Sequence, residues 1–143
     1  MQKNFIFSDT ETTGLREKDF IQIIQSASIL TDESFERIDA QNIESRPLPW
    51  VVPQPGAYLV HKKISSLDSN ISHYQMMKDI YETWEKWSDD KQTIFITYNG
   101  HQFDEELYRR QFYWNLLPPY ITNTNGNGRS DLYFLILLVS YLY

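Results

Sequence analysis

Hydrophobic and polar residues alternate over the first part of the chain. Residues 4–9 are apolar and aromatic, residues 20–32 are rich in isoleucine with a partial period of two, and residues 36–48 follow after a polar turn. Alternation is typical of half-buried strands, because successive side chains of a strand point to opposite faces. The first third of the chain is therefore predicted to be a three-stranded antiparallel meander.

After a proline-rich loop at 47–56, apolar residues recur every three or four positions. Between residues 69 and 90 this spacing predicts an amphipathic helix, with Ser72 and Gln75 as a capping box at its start. Residues 93–98, TIFITY, form an unbroken β-branched and aromatic run, which is expected of a strand covered on both faces.

A second amphipathic helix follows this strand. Its predicted apolar positions are Phe103, Leu107, Phe112 and Leu116. Residues 121–130 are polar and contain glycine, which indicates a loop, and Ser130 or Asp131 can cap a last helix over 132–143. Three strands followed by helix, strand, helix and helix predict an α/β domain with a mixed sheet and flanking helices.

Composition limits the kinds of chemistry available. The 143 residues are 41% hydrophobic, contain no cysteine and carry a net charge of −6. Without cysteine the chain has neither a disulfide framework nor a thiolate metal site, and the cytoplasm is the expected compartment. A nucleic-acid binder held by charge alone is normally basic, so this acidic chain is expected to meet phosphates through bound cations.

The end of the sequence, LYFLILLVSYLY, is a strongly apolar segment. It is too short to span a bilayer, which requires roughly 20 residues, so no membrane partner is expected. A helix of this composition has little polar face. Its exposed apolar surface would favour aggregation or self-association.

Three acidic residues stand where strands end. Asp9 and Glu11 are two positions apart, which directs both side chains to the same side of an extended chain, and Asp104 follows the strand at 93–98. If the two strands are neighbours in the sheet, the three carboxylates meet at one edge. Such a cluster needs cations to neutralise it, and hard oxygen ligands favour Mg²⁺, with Mn²⁺ as a substitute.

Two strings at this separation resemble motifs of a known enzyme family. FSDTETTG resembles the first motif of the DEDD 3′→5′ exonucleases, which have a ribonuclease H-like fold, and YNGHQFDEELYRRQFYWN resembles the second motif in the form found in bacterial exodeoxyribonuclease I. PQPGAYLV and NGRSDL are similar to further segments of that family. A lone DxE at a strand end is most often a solvated turn, whereas the two motifs together are a specific signal.

The resemblance implies a 3′→5′ exodeoxyribonuclease that acts on single-stranded DNA in repair or recombination. Such an enzyme hydrolyses phosphodiester bonds with two metal ions and releases nucleoside 5′-monophosphates. By position, Asp9 would bridge both metals, Glu11 would bind one metal and the terminal 3′ hydroxyl, and Asp104 would hold the second metal through water. Arg109 matches an arginine that contacts single-stranded DNA; a solvated helix charge is the alternative interpretation.

The chain departs from the family at the third motif. There the family has a general-base histidine five residues before a fourth metal-binding aspartate, and none of His61, His73 and His101 has an aspartate at that spacing. Residues 1–143 are therefore expected to be an exonuclease domain truncated before the third motif and impaired as an enzyme. The VHKKIS stretch also lacks the glycine usual after PQPGAxL.

Two other functions stay open. One is a catalytically dead remnant that binds a metal ion or a partner chain, which the missing third motif favours. The other is a DEDD exonuclease that acts on RNA, although the PQPGA and FYWN strings favour DNA.

Overall fold

The alternating segments pair into one mixed sheet. A computed structural model describes residues 3–14, 20–89, 92–101 and 103–142 of the protein. Within them the strands are β1 (Lys3–Thr12), β2 (Ile23–Thr31), β3 (Arg37–Glu44), β4 (Gln92–Thr97) and β5 (Gly128–Asp131). They lie in the order β3-β2-β1-β4-β5, with β1, β2 and β3 antiparallel and β4 parallel to both β1 and β5. The predicted α/β class, mixed sheet and antiparallel meander are confirmed.

Helices connect the strands and follow the last one. The α-helices of the described residues are α1 (Pro55–His61), α2 (His73–Ser88), α3 (Asp104–Trp114) and α4 (Leu132–Leu142), with short 3₁₀ turns at Ile64–Asp68 and Ile121–Asn123. None of these helices is long and apolar enough to cross a membrane.

The core lies between one face of the sheet and helices α2 and α3. Trp84 of α2 is fully buried, and its ring contacts those of Phe95, Tyr108 and Phe112 at centroid distances of 4.7–5.9 Å. Its indole Nε1 donates to Ser28 Oγ at 3.0 Å. In the regular part of β2, from Gln25 to Leu30, even-numbered residues therefore face the helices and odd-numbered residues face the opposite side of the sheet. A register shift before Gln25 reverses this order, so Ile23 also lies in the core.

The predicted start of α2 is correct in part. Ser72 accepts a hydrogen bond from the backbone N–H of Gln75 at 3.2 Å, so it is the N-cap. The Gln75 side chain does not form a hydrogen bond with Ser72. It donates to Asp79 Oδ1 at 2.6 Å, one turn further along the exposed face. The N-cap is confirmed and the reciprocal capping box is wrong.

Three local predictions are corrected by the structure. The proline-rich loop ends sooner than predicted, because α1 begins at Pro55, and proline is well suited to a first helical position that needs no N–H. The polar loop at 121–130 contains β5, a strand specified by its pairing with β4. Leu116 is not on an apolar helix face: α3 ends at Trp114, and Leu116 has φ 59° and is 93% exposed.

Candidate active site

Parallel pairing of β1 and β4 sets the position of the three carboxylates. The register runs from Lys3 opposite Gln92 to Phe7 opposite Ile96, so the carboxyl ends of the two strands lie side by side. Asp9 and Glu11 belong to the last part of β1, and α3 begins at Asp104 a few residues after β4. The predicted adjacency of the two strands is confirmed.

Asp9 and Glu11 share the face of the sheet that α2 and α3 leave uncovered. In the antiparallel ladder Asp9 lies opposite Ala27 and Glu11 opposite Gln25, both odd-numbered positions of β2. Asp9 is exposed and Glu11 is partly exposed. Both side chains therefore remain accessible to a ligand approaching this face.

Asp104 is buried at the same edge and is held by Thr10. The Thr10 hydroxyl donates to Asp104 Oδ1, and Asp104 is only 9% exposed. Burial raises the pKa of Asp104 to about 6; the Thr10 hydrogen bond opposes this shift, and the charges of Asp9 and Glu11 add to it. The three acids therefore repel one another electrostatically, as expected of a cluster that cations would stabilise.

The described side chains do not converge on a single point. No group of three or more His, Asp or Glu side chains in the described part of the chain is arranged closely enough to hold a metal ion. One reason is the alternation of β1: Thr10 points away from its two acidic neighbours, and Asp104 Oδ1 is directed to Thr10. Three carboxyl groups thus lie at one end of the two strands, with Asp104 turned toward the helix-covered face.

Glu11 has basic neighbours that sequence reasoning missed. The pKa of Glu11 is raised above its ordinary value, mainly by burial. The charges of His61 and Lys63 oppose this shift, and the charge of Asp9 adds to it. His61 Nε2 donates to the backbone carbonyl of Thr12 at 3.1 Å, while its Nδ1 accepts from the Lys63 N–H at 2.9 Å. These bonds fasten the end of α1 to the end of β1, and no sequence signal links segments this far apart.

A turn anchored by Asp131 sets the start of α3. Asp131 Oδ1 accepts from the Asn99 N–H at 2.7 Å, and Oδ2 accepts from the His101 N–H at 3.1 Å. Between them, Gly100 has no room for a Cβ, which would lie 2.6 Å from Thr97 Cβ. Asp131 thereby fixes the backbone that leads into Asp104.

Asp131 also performs the capping role predicted for it. Its Oδ1 accepts from the Tyr133 N–H at 3.0 Å, at the start of α4. Burial alone would raise the pKa of Asp131, but hydrogen bonds from the backbone N–H groups of His101, Asn99 and Tyr133, together with the His101 charge, lower it. A stable carboxylate thus joins β5, α4 and the turn before α3.

Arg109 lies on the exposed side of α3. It donates to Glu106 Oε2, and its guanidinium carbon is 5.8 Å from the centroid of the Tyr120 ring. A cavity of about 150 Å³ here is lined by Arg109, Arg110, Tyr113, Pro119 and Tyr120. The contacts described for Arg109 connect it to Glu106 and Tyr120 rather than to the three carboxylates.

Neither His101 nor the groove of about 920 Å³ belongs to the carboxylate cluster. His101 Nε2 lies 4.0 Å from Glu105 Oε2 and has no hydrogen-bond partner among the described residues. The groove runs between the end of α2 and residues 121–127, next to Gln92 at the opposite end of β4. The groove is therefore separate from the three carboxylates, which lie at the carboxyl ends of β1 and β4.

Comparisons with known proteins agree with this fold. Exodeoxyribonuclease I of Buchnera aphidicola (subsp. Acyrthosiphon pisum) is 31% identical over 137 residues, which cover 93% of this chain and 32% of the relative. The Escherichia coli K12 exodeoxyribonuclease I is 29% identical over 137 residues, covering 92% of this chain and 27% of the relative. No family model matches the chain.

Solved structures of exonuclease I are also similar to this chain. Exonuclease I in its apo form superimposes with a TM-score of 0.88 at 27% identity, covering 99% of this chain and 32% of that protein. The zinc-ion-bound complex of the Escherichia coli enzyme with single-stranded DNA gives a TM-score of 0.84 at 28% identity, over 94% and 29% of the two chains. The chain therefore spans about a third of the length of the proteins it matches.

Proposed function

We propose that this chain, which is similar to exodeoxyribonuclease I over 92–93% of its length, carries the catalytic carboxylates of a 3′→5′ exonuclease that acts on single-stranded DNA. The observation that carries this proposal is the parallel pairing of β1 with β4, which brings Asp9, Glu11 and Asp104 to one edge of the sheet. The reaction would be phosphodiester hydrolysis with release of nucleoside 5′-monophosphates, in DNA repair or recombination.

The carboxylate oxygens of Asp9, Glu11 and Asp104 are hard donors, which suit Mg²⁺, with Mn²⁺ as a substitute. Two bound cations would activate a water and stabilise the leaving 3′ oxygen. Asp9 would contribute to both sites, Glu11 to one site and to the terminal 3′ hydroxyl, and Asp104 to the second site through water. Burial is the main cause of the raised pKa of Asp104, and the charges of Asp9 and Glu11 add to it. This added repulsion supports the assignment, because cation binding relieves it.

Arg109 would contact the DNA strand. Its ion pair with Glu106 is exposed, so exchanging that carboxylate for a phosphate costs little free energy. The rings of Tyr113 and Tyr120 line the same cavity and offer surfaces on which bases can stack. Removing the Arg109 charge should therefore weaken binding of single strands and reduce its dependence on salt.

Metal binding tests the first part of the proposal. In titration calorimetry with Mn²⁺, Asp9→Asn and Glu11→Gln should each weaken binding by at least about tenfold, since even outer-shell changes commonly cost that much. Glu33→Gln makes the same change of charge at an exposed position of the β2–β3 turn and should leave binding unaltered. Equal affinity in wild type and Asp9→Asn would remove the metal site from consideration.

Digestion of oligonucleotides tests the second part. A 5′-labelled single strand should shorten stepwise from its 3′ end, and a circular single strand should resist, because the scissile phosphate is fixed relative to a terminal hydroxyl. A protein made of these 143 residues, in which no histidine stands five positions before an aspartate, should be at least about 10³-fold slower than the Escherichia coli relative. Comparable cutting of the circle would contradict an exonuclease, and faster digestion of RNA would favour the RNA alternative.

The remnant alternative predicts a different pair of results. The geometry of the described residues favours it, because Asp104 is directed to Thr10 and no three His, Asp or Glu side chains lie close enough to hold a metal ion. A remnant would bind Mn²⁺, and Asp9→Asn would weaken that binding. It would not digest oligonucleotides, so Asp9→Asn would cause no loss of activity. The two experiments together separate the enzyme from the remnant.

A further inference from the structure

A small cavity lies between the sheet and α3, next to the turn that leads into Asp104. Its lining combines apolar rings with polar side chains: Trp84, Phe95, Tyr108, Ser8, Thr97 and His101. The volume of the cavity is about 10 Å³. This is close to the roughly 10–15 Å³ that a single water molecule needs.

Two polar atoms of this lining lack a partner. Thr97 Oγ1 and His101 Nε2 are both buried, and neither has a hydrogen-bond partner among the described residues. A buried polar atom without a partner is destabilising, so such atoms are nearly always bonded to a protein group or to ordered water. Because both atoms belong to residues that line one small cavity, they can share a single ligand.

Glu105 supplies a charged acceptor beside the same cavity. Its Oε1 accepts hydrogen bonds from Thr122 Oγ1 at 3.2 Å and from Arg129. Its Oε2 lies 4.0 Å from His101 Nε2, which is too long for a direct hydrogen bond. An oxygen atom about 2.8 Å from each of these two atoms would bridge them.

We propose that this cavity is a binding site for one ordered water molecule, which bridges Thr97, His101 and Glu105. A buried water typically makes about three hydrogen bonds, and these three side chains supply that number. Ser8 adds a fourth polar group to the lining. Water both donates and accepts, so it suits either tautomer of the imidazole. A divalent cation suits the site less well, because Mg²⁺ and Ca²⁺ take six or more oxygen ligands.

The water joins three segments that meet just before the candidate active site. Thr97 ends β4, His101 lies in the following turn, and Glu105 is in the first turn of α3, one residue after Asp104. A ligand bonded to all three holds the turn against the end of the strand. It therefore has a positioning role for the backbone of Asp104, and this role does not depend on nuclease activity.

The substitution Thr97→Val tests the site by the sign of its effect, because it replaces the hydroxyl by a methyl group of similar size. If a water is bonded to Thr97 Oγ1, the variant loses one hydrogen bond, and the equilibrium constant for unfolding in urea should rise about 2- to 13-fold. If the hydroxyl has no partner, the same change removes a buried unsatisfied group, and the constant should fall.

Thr124→Val is the matched control. It makes the same chemical change at an exposed threonine that does not line the cavity, so it should alter the unfolding constant by no more than about twofold. Circular dichroism on both variants verifies that the fold is retained.

A high-resolution crystal structure of the chain detects the ligand directly. In wild type and in Thr124→Val, a water should lie about 2.6–3.2 Å from Thr97 Oγ1, His101 Nε2 and Glu105 Oε2. In solution, nuclear Overhauser effects between water and the side chains of Thr97 and His101 should be present in wild type and should weaken in Thr97→Val.

Several results would overturn the proposal. These are an empty cavity, a protein side chain at the position of the water, a Thr97→Val variant that is as stable as Thr124→Val or more stable than wild type, and a metal ion, which its shorter ligand distances of about 2.0–2.6 Å would reveal.

Discussion

The hydroxyl of Thr10 donates a hydrogen bond to Oδ1 of Asp104, although the two residues are 94 positions apart. This bond joins the end of β1 to the first residue of α3 and orients one carboxylate of the cluster. Thr10 lies between Asp9 and Glu11, so its side chain points to the opposite face of the sheet. One short segment thus supplies two acids to one face and a donor for the third acid on the other.

Replacing Thr10 tests how strongly this bond holds Asp104 in its ionised form. Thr10→Val removes the donor and should raise the pKa of Asp104 by about one unit or more, because a hydrogen bond to a charged group contributes about 1.5–3 kcal/mol. Thr10→Ser keeps the hydroxyl and should leave the pKa close to that of wild type. The measurement is a pH titration of the Asp104 carboxyl carbon by NMR; an unchanged midpoint in Thr10→Val would show that the bond is not formed in solution.

Asp104 is expected to lower the stability of the protein at neutral pH. Its pKa is raised by burial from 3.8 to about 6, so the folded state disfavours the charged form, with a cost that is fully present above pH 6 and absent below about pH 3.8. Asp104→Asn should therefore stabilise the protein by up to about 3 kcal/mol at pH 8 and by little at pH 4.

Urea unfolding at both pH values measures this difference. Asp9→Asn is the matched control: it makes the same chemical change at an exposed position of the same cluster and should alter the free energy of unfolding much less. A stability gain from Asp104→Asn that is equal at pH 4 and pH 8 would contradict the assigned cause.

The parts of the site that the sequence predicts are those with a local signal. Asp9 and Glu11 follow from alternation within one strand, and Asp104 follows from its place after the unbroken run that forms β4. The adjacency of β1 and β4 required the assumption that they are neighbours, which their parallel register confirms.

The parts that escaped prediction depend on contacts between distant segments. β5 has the sequence GRSD, which is polar and contains glycine, and it is a strand only because Gly128 to Asp131 pair with Ile94 to Thr97. Asp131 could be predicted as a helix cap from its neighbours. Its bonds to Asn99 and His101 cross 30–32 positions and have no local signature.

Lys62 occupies a backbone conformation that glycine adopts more readily than other residues. It ends α1 in the left-handed conformation, with φ 58° and ψ 23°, and its N–H donates to the Tyr58 carbonyl. A side chain in this conformation costs about 1–2 kcal/mol, part of which glycine returns through its greater freedom in the unfolded chain. Lys62→Gly should therefore stabilise the protein by a few tenths to about 1 kcal/mol.

The neighbouring lysine provides the control for this change. Lys63 has φ −84°, where glycine brings no relief, and it forms an ion pair with Glu44 at 3.3 Å. Lys63→Gly should destabilise the protein by roughly 0.5–1 kcal/mol. Thermal unfolding of the two variants should give shifts of opposite sign; shifts of the same sign would show that the backbone at Lys62 is not strained.

His73 should make the protein sensitive to mild acid. It lies in the first turn of α2, is 3% exposed, and neither ring nitrogen has a hydrogen-bond partner among the described residues. Burial lowers the pKa of His73 from 6.5 to about 4, so below pH 6.5 the unfolded chain takes up a proton that the folded chain does not. The resulting loss of stability grows as the pH falls from 6.5 to 4 and reaches about 3 kcal/mol.

The comparison of His73→Phe with wild type isolates this contribution. Asp104 acts in the opposite direction over pH 6 to 4, but it is present in both proteins and cancels in the difference. The difference in the free energy of unfolding should be constant above pH 7 and should increasingly favour His73→Phe from pH 6.5 down to pH 4. Tyr74→Phe, a change at the exposed neighbour, should give a difference that does not vary with pH. A flat difference for His73→Phe would mean that the imidazole is charged or hydrogen-bonded in the folded protein, because only a buried neutral histidine has its pKa lowered in this way.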